Sequence, residues 1–67
     1  MQLGTRNQLA GTVTNVNLGT IMSEITVDIG GQSVTAAITR GSAEDLELAE
    51  GDEVTFLIKA TEVMIGK

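Results

Sequence analysis

The sequence predicts an OB-fold-like barrel of five strands, all β apart from one short helix, in the order β-β-β-α-β-β. Three observations carry that expectation. Apolar and polar residues alternate with period two over most of the chain, the pattern of half-buried strands. One stretch, residues 42–50, departs from that alternation and reads as helical. It falls between the third and fourth predicted strands, where an OB barrel carries its helix.

The first strand, roughly Asn7 to Asn17, changes parity along its length. Leu9, Gly11 and Val13 share one face, whereas Val16 and Leu18 fall on the other. A bulge or sharp bend near Thr14-Asn15 reconciles them. A small closed barrel needs such a strand, because one strand must pair with both halves of the sheet. From Ile21 onward, Ile25, Val27 and Ile29 alternate with Glu24, Thr26 and Asp28. Gly30-Gly31 then signals a two-residue hairpin. The third strand sets Val34, Ala36 and Ile38 on one face and Thr35 and Thr39 on the other.

The helix is expected to start at Ser42 as its cap, with Asp45 reaching back and Glu44 at the positive end of the macrodipole. Leu46 follows, and Glu47 to Glu50 complete the turn before Gly51. Gly51-Asp52 leads into a fourth strand with Val54, Phe56 and Ile58 on one face. Val63 and Ile65 begin a short fifth strand. Proline, internal repeats and low-complexity tracts are absent, so residues 1–67 are expected to form a single domain.

A domain of 67 residues buries only about 60% of the surface its unfolded chain exposes. Small domains compensate with disulfides, metals or partner chains. The sequence has no Cys and no His, which leaves oligomerisation. A mean hydropathy of +0.20 points the same way. No apolar run approaches the ~20 residues of a membrane span. Met1 to Gln8 lacks a signal-peptide pattern, so the expected location is the cytoplasm, with no membrane partner. Nine acidic residues face four basic ones, for a net charge of −5. That balance is opposite to the basic patch of a nucleic-acid binder. The lone aromatic, Phe56, offers no stacking platform for bases.

Without His or Cys, imidazole acid–base chemistry and thiol chemistry are excluded, and no enzyme site is visible. Glu24, Asp28, Glu44, Asp45 and Glu47 read as solvated surface charges. Neither an EF-hand loop nor a phosphate-binding Gly-x4-Gly-Lys motif is present. The scarce cations are Arg6, Arg40, Lys59 and the terminal Lys67. Arg6 lies just before the first strand. Lys59 ends the fourth and is followed by Ala60 and Thr61, while Thr39 and Ser42 bracket the loop entering the helix. An anion competing with water needs fixed cations, hydroxyl donors and free backbone N–H groups, and a helix N-terminus near Ser42 would supply the last of these. On residue chemistry alone, the plainer reading of Arg6 and Lys59 as solubilising surface charges is the stronger one.

At the level of whole motifs, the chain resembles the molbindin (Mop) family. Arg6-Asn7-Gln8-Leu9-Ala10-Gly11 is similar to the family's Arg-Asn-x-Leu-x-Gly opening. Val27 to Gly31 and Thr35 to Thr39 look like its central hairpin. Ser42 through Val54 resembles its helix and following strand, and Lys59 through Ile65 its C-terminal strand. The resemblance implies a homo-oligomer, a hexamer built as a trimer of dimers, that binds molybdate or tungstate between subunits. It implies one site with Arg6 from one chain and Thr39, Ser42, Lys59 and Ala60 from its partner. Gly4 stands where the family often carries a serine, so Thr5 is the nearest replacement hydroxyl. A second site, made mainly of backbone donors near the three-fold axis, falls on Gly19, Thr20 and Ile21.

The chemistry of the ligand suits these residue types. Molybdate is a tetrahedral dianion with acceptor oxygens and no donors, so its site should be rich in N–H and O–H groups. One Arg and one Lys neutralise it, and charge-assisted hydrogen bonds are roughly twice as strong as neutral ones. An anion that binds only the oligomer also stabilises it by mass action. The expected role is intracellular molybdate storage or homeostasis without catalysis. Two rivals stand beside it: an oligomerisation or regulatory module that binds no anion, and an OB-fold nucleic-acid binder, which the charge balance disfavours.

Overall fold

The computed structural model describes residues 6–67. Its framework is one antiparallel sheet built around a long bent strand. β1 (Asn7–Leu18) is followed by β2 (Met22–Ile29), β3 (Gln32–Thr39), α1 (Arg40–Asp45) and β4 (Glu53–Ile58), then by a single 3-10 turn, Ala60–Glu62. The strand order is β3-β2-β1-β4.

β1 serves both halves of the sheet, as its parity change predicts. Its first half pairs with β4, from Asn7↔Ile58 to Thr12↔Glu53. Its second half pairs with β2, out to Leu18↔Ser23. The register with β2 slips between Val13 and Asn15, so the expected bulge is present and Thr14 is the extra residue. Val13 is therefore buried, and Val16 packs against the same core despite its odd spacing. At the bulge the Val13 N–H donates to Asp52 O and the Val13 carbonyl accepts from Gly51 N, both at 2.8 Å. These two bonds prolong the β4 side of the ladder around the bend.

Gly11 sits where β1 passes from one partner to the other. A Cβ there would lie 2.5 Å from Val27 Cγ1 and 2.6 Å from the Asp28 carbonyl oxygen. The bend thus brings the β1 backbone closer to β2 than any side chain allows. Between β2 and β3, Ile29 pairs directly with Gln32. Gly30 and Gly31 both have positive φ, at 59° and 88°. That is the conformation required at both central positions of a type I′ hairpin turn.

The curled sheet wraps a small core of Val13, Ile25, Val27 and Ala43, with Val16, Ile29, Ile38, Leu48, Val54 and Phe56 packed around it. α1 places Ala43 against the inner face of the sheet. A helix of six residues is too short to persist alone. It is held by its cap and by this one apolar contact.

Two sequence expectations differ from the structure. The helix begins at Arg40, and its cap is Thr39 rather than Ser42: the Thr39 side chain accepts from Ser42 N at 3.1 Å. Both residues are good caps, and the one standing outside the helical backbone takes the role. Glu44 and Asp45 consequently fall in the last turn, where neither serves the N-terminus. The second difference concerns the fifth strand at Val63 and Ile65. After Ile58 the 3-10 turn redirects the chain, with Glu62 N donating to Lys59 O. Residues 63–67 then run outside the sheet and are exposed. Among the described residues the sheet has four strands and two open edges, β3 and β4. No helix there is long and apolar enough to cross a membrane.

Candidate functional site

The sequence-derived site residues divide between the two ends of β1. At the Asn7 end the β1–β4 ladder closes on Asn7↔Ile58, reinforced by Asn7 Nδ2 donating to Ile58 O at 3.1 Å. The next residues outward in an antiparallel register are Arg6 and Lys59. Both cations therefore lie at the same end of the sheet within one chain. The separation of 53 residues in sequence hid this placement until the register was known. Lys59 has extended backbone and makes no side-chain cap bond to the turn that follows, which starts at Ala60. Both Arg6 and Lys59 are exposed. Neither takes part in an ion pair among the described residues, where the one such pair is Arg40–Glu44.

At the Leu18 end lie Gly19, Thr20 and Ile21, together with Thr39 and Ser42. The link is the β2–β3 ladder, whose last pair is Met22↔Thr39. Thr39 Oγ1 donates to Ser42 Oγ at 2.8 Å while accepting from Ser42 N. Each hydroxyl carries a single proton. The proton of Thr39 is spent inside the pair, and that of Ser42 remains for an outside acceptor. The Ser42 backbone N–H is committed to the cap. It is therefore not one of the free donors expected at the helix start.

In the sheet register the two clusters lie at opposite ends of β1. Thr5 lies outside the described residues. One participant was missed as a site residue: Arg40. Its backbone N–H donates to Ile21 O at 2.8 Å, its Nε to Glu44 Oε1 at 2.8 Å, and a terminal guanidinium nitrogen to Gly19 O at 3.4 Å. The four-residue spacing from Arg40 to Glu44 was the available signal, since i,i+4 pairs face each other on a helix. No group of three or more His, Cys, Asp or Glu that could hold a metal ion occurs among the described residues. The chemistry on offer is that of an anion site: exposed unpaired cations at one end and an outward hydroxyl donor at the other.

Known proteins share this fold. Residues 4–65 match the family model described as the TOBE domain. The chain is 46% identical over 66 residues to molybdenum-pterin-binding protein 3 of Clostridium pasteurianum, covering 97% of each chain. A molybdate-binding protein from Sporomusa ovata has the same fold at a TM-score of 0.95 and 45% identity, with 100% of both chains covered. The cytoplasmic molybdate-binding protein ModG, in a form with molybdate bound, matches at a TM-score of 0.85 and 36% identity, over 90% of this chain and 43% of that one. The similarity read from Arg6–Gly11 and Lys59–Ile65 thus extends through the whole molecule, and the chain belongs to the TOBE domain family.

Proposed function

We propose that this chain binds molybdate, without catalysis, as a homo-oligomer whose copies share the anion sites. The observation that carries the reading is the placement of Arg6 and Lys59 next to the last pair, Asn7↔Ile58, two exposed cations with no ion-pair partner among the described residues. Such a pair matches a dianion in charge and offers N–H donors alone. The printed names of the relatives, molybdenum-pterin-binding and molybdate-binding proteins, support the choice of ligand. Tungstate, a tetrahedral dianion of the same class, fits the same donors.

In this proposal one copy contributes Arg6, Lys59 and Ala60, together with Thr5, which precedes Arg6 in sequence, and a second copy contributes Thr39 and Ser42. The separation of the two clusters along β1 favours this division over one that takes Lys59 with Thr39. Gly19, Thr20 and Ile21 form the second site, through backbone donors. Assembly is supported by apolar surface that a lone chain leaves bare. Val63, Met64 and Ile65 are 50%, 93% and 95% exposed. A groove lined by Ile25, Ile38, Leu46, Leu48, Val54 and Phe56 opens between the strands and the segment that follows α1. A hexamer arranged as a trimer of dimers is the proposed state. A cytoplasmic role in molybdate storage or homeostasis is consistent with the description of ModG as cytoplasmic.

Titration calorimetry with molybdate, tungstate and sulfate tests the reading, alongside sedimentation equilibrium. Molybdate and tungstate should bind well ahead of sulfate, to a particle several times the mass of one chain. A monomer, or a protein with no preference over sulfate, would refute it.

A further inference from the structure

Among the described residues the Arg40 side chain ties the turn after β1 to the start of α1, where the hydroxyl pair sits, and no part of the anion reading uses it. We propose that Arg40 is a positioning residue, which locks the Gly19–Ile21 turn against α1 and so fixes the direction of the Ser42 hydroxyl. The inference rests on the anion-binding reading above and adds a determinant that does not itself touch the anion.

Three bonds converge on this residue. Its backbone N–H donates to Ile21 O at 2.8 Å. Its Nε donates to Glu44 Oε1 at 2.8 Å, which anchors the guanidinium along α1. Its NH1 reaches Gly19 O at 3.4 Å. Gly19 in turn donates from its backbone N–H to Met22 O at 2.9 Å, closing the turn. Arg40 stands between Thr39 and Ser42 in sequence, so any rotation of α1 about this anchor swings the Ser42 Oγ. α1 has one buried residue, Ala43, and six residues in all. Its cap and the Ala43 contact hold it in place, and the Arg40 tie adds a third restraint on its orientation. A planar guanidinium can donate to Glu44 and Gly19 at once from different nitrogens, whereas a lysine ammonium on its flexible stem has no such fork.

The test measures molybdate affinity by calorimetry in the assembled protein, with thermal melts alongside. R40A should weaken binding by about fivefold, the size of one net hydrogen bond. R40K should behave like R40A, because the charge survives and the fork does not. E44Q should bind within about twofold of wild type, because glutamine keeps a carbonyl oxygen for Nε. In the S42A background, R40A should have no further effect on affinity at the site shared with Ser42, since the hydroxyl it positions there is gone. A general loss of structure would instead add to the S42A effect and lower the melting temperature in proportion. R40K binding like wild type, or E44Q strengthening binding as far as R40A weakens it, would assign the effect to charge and overturn the proposal. Wild-type affinity in R40A, or full additivity with S42A, would overturn it too. A wild-type protein that binds no molybdate overturns the anion reading along with it.

Discussion

Replacing Arg6 or Lys59 with alanine should move ligand affinity and ligand-free stability in opposite directions. The β1–β4 ladder ends at Asn7↔Ile58, and Arg6 and Lys59 are the next residues on its two strands. Like charges at neighbouring positions of an antiparallel pair repel. Even at roughly 5 Å in water the repulsion is at most about 0.8 kcal/mol, less in salt. Among the described residues no acidic side chain forms an ion pair with either of them. Each alanine variant, free of anion, should therefore melt at the wild-type temperature or slightly above it. With molybdate present, each cation supplies a charge-assisted hydrogen bond worth about 1.5–3 kcal/mol. Losing one should weaken binding by roughly tenfold to a hundredfold.

The shared geometry allows a stricter measurement in mixed oligomers, refolded together and titrated with molybdate. With both cations on one chain, mixing Arg6→Ala chains with Lys59→Ala chains regenerates no site beyond those of the separate variants. Mixing a chain carrying both of those changes with one carrying Thr39→Ala and Ser42→Ala should restore about a quarter of the sites, the random chance that two intact halves meet. Recovery in the first mixture, or none in the second, would refute the division of the site.

Three further changes probe separate parts of the molecule. Thr39→Ala removes the cap of α1 and should cost about 1 kcal/mol in urea unfolding. Ser42→Ala should leave stability nearly unchanged and weaken molybdate binding by about twofold to tenfold, the share of one neutral hydrogen bond. Gly11→Ala drives a methyl group against Val27 Cγ1 and the fixed Asp28 carbonyl, at 2.5 and 2.6 Å. It should destabilise the fold by about 1–3 kcal/mol or more, read from the denaturation midpoint. Ile65→Asp, at a position 95% exposed in the single chain, should leave the far-ultraviolet circular dichroism of the fold intact while lowering the mass seen by sedimentation.

Much of the fold was legible because β structure writes its faces into alternate residues. The shift from Leu9, Gly11 and Val13 to Val16 and Leu18 located the bulge. Gly30-Gly31 located the hairpin, because few residues other than glycine accept its two positive φ angles. The start of α1 was misplaced because Thr39 and Ser42 are both capping residues, and only the backbone decides which stands outside the helix. The alternation in Val63 and Ile65 was real, but a strand also requires an edge to pair with, and the turn at Ala60–Glu62 carries the segment away from both. The candidate site was legible as a set of residue types and illegible as a grouping. Which cations share one end of the sheet depends on long-range register, and that is absent from any local pattern.

The double pairing of β1 also sets the order in which the molecule can be built. The β2–β3 hairpin closes over a two-residue turn and can form within microseconds. The β1–β4 ladder joins residues as far apart as Asn7 and Ile58, a span of 51 positions. Closing that loop takes chain entropy first and returns contacts only afterwards, which makes it the slow step. Arg6 and Lys59 reach the same end of the sheet only when this ladder zips, whereas the hydroxyl pair of Thr39 and Ser42 needs only the hairpin and the helix that follows it. Loop-closure entropy thus predicts that the hydroxyl half of the candidate site is complete first and that the cationic half, with its charge for an anion, follows with the long-range ladder.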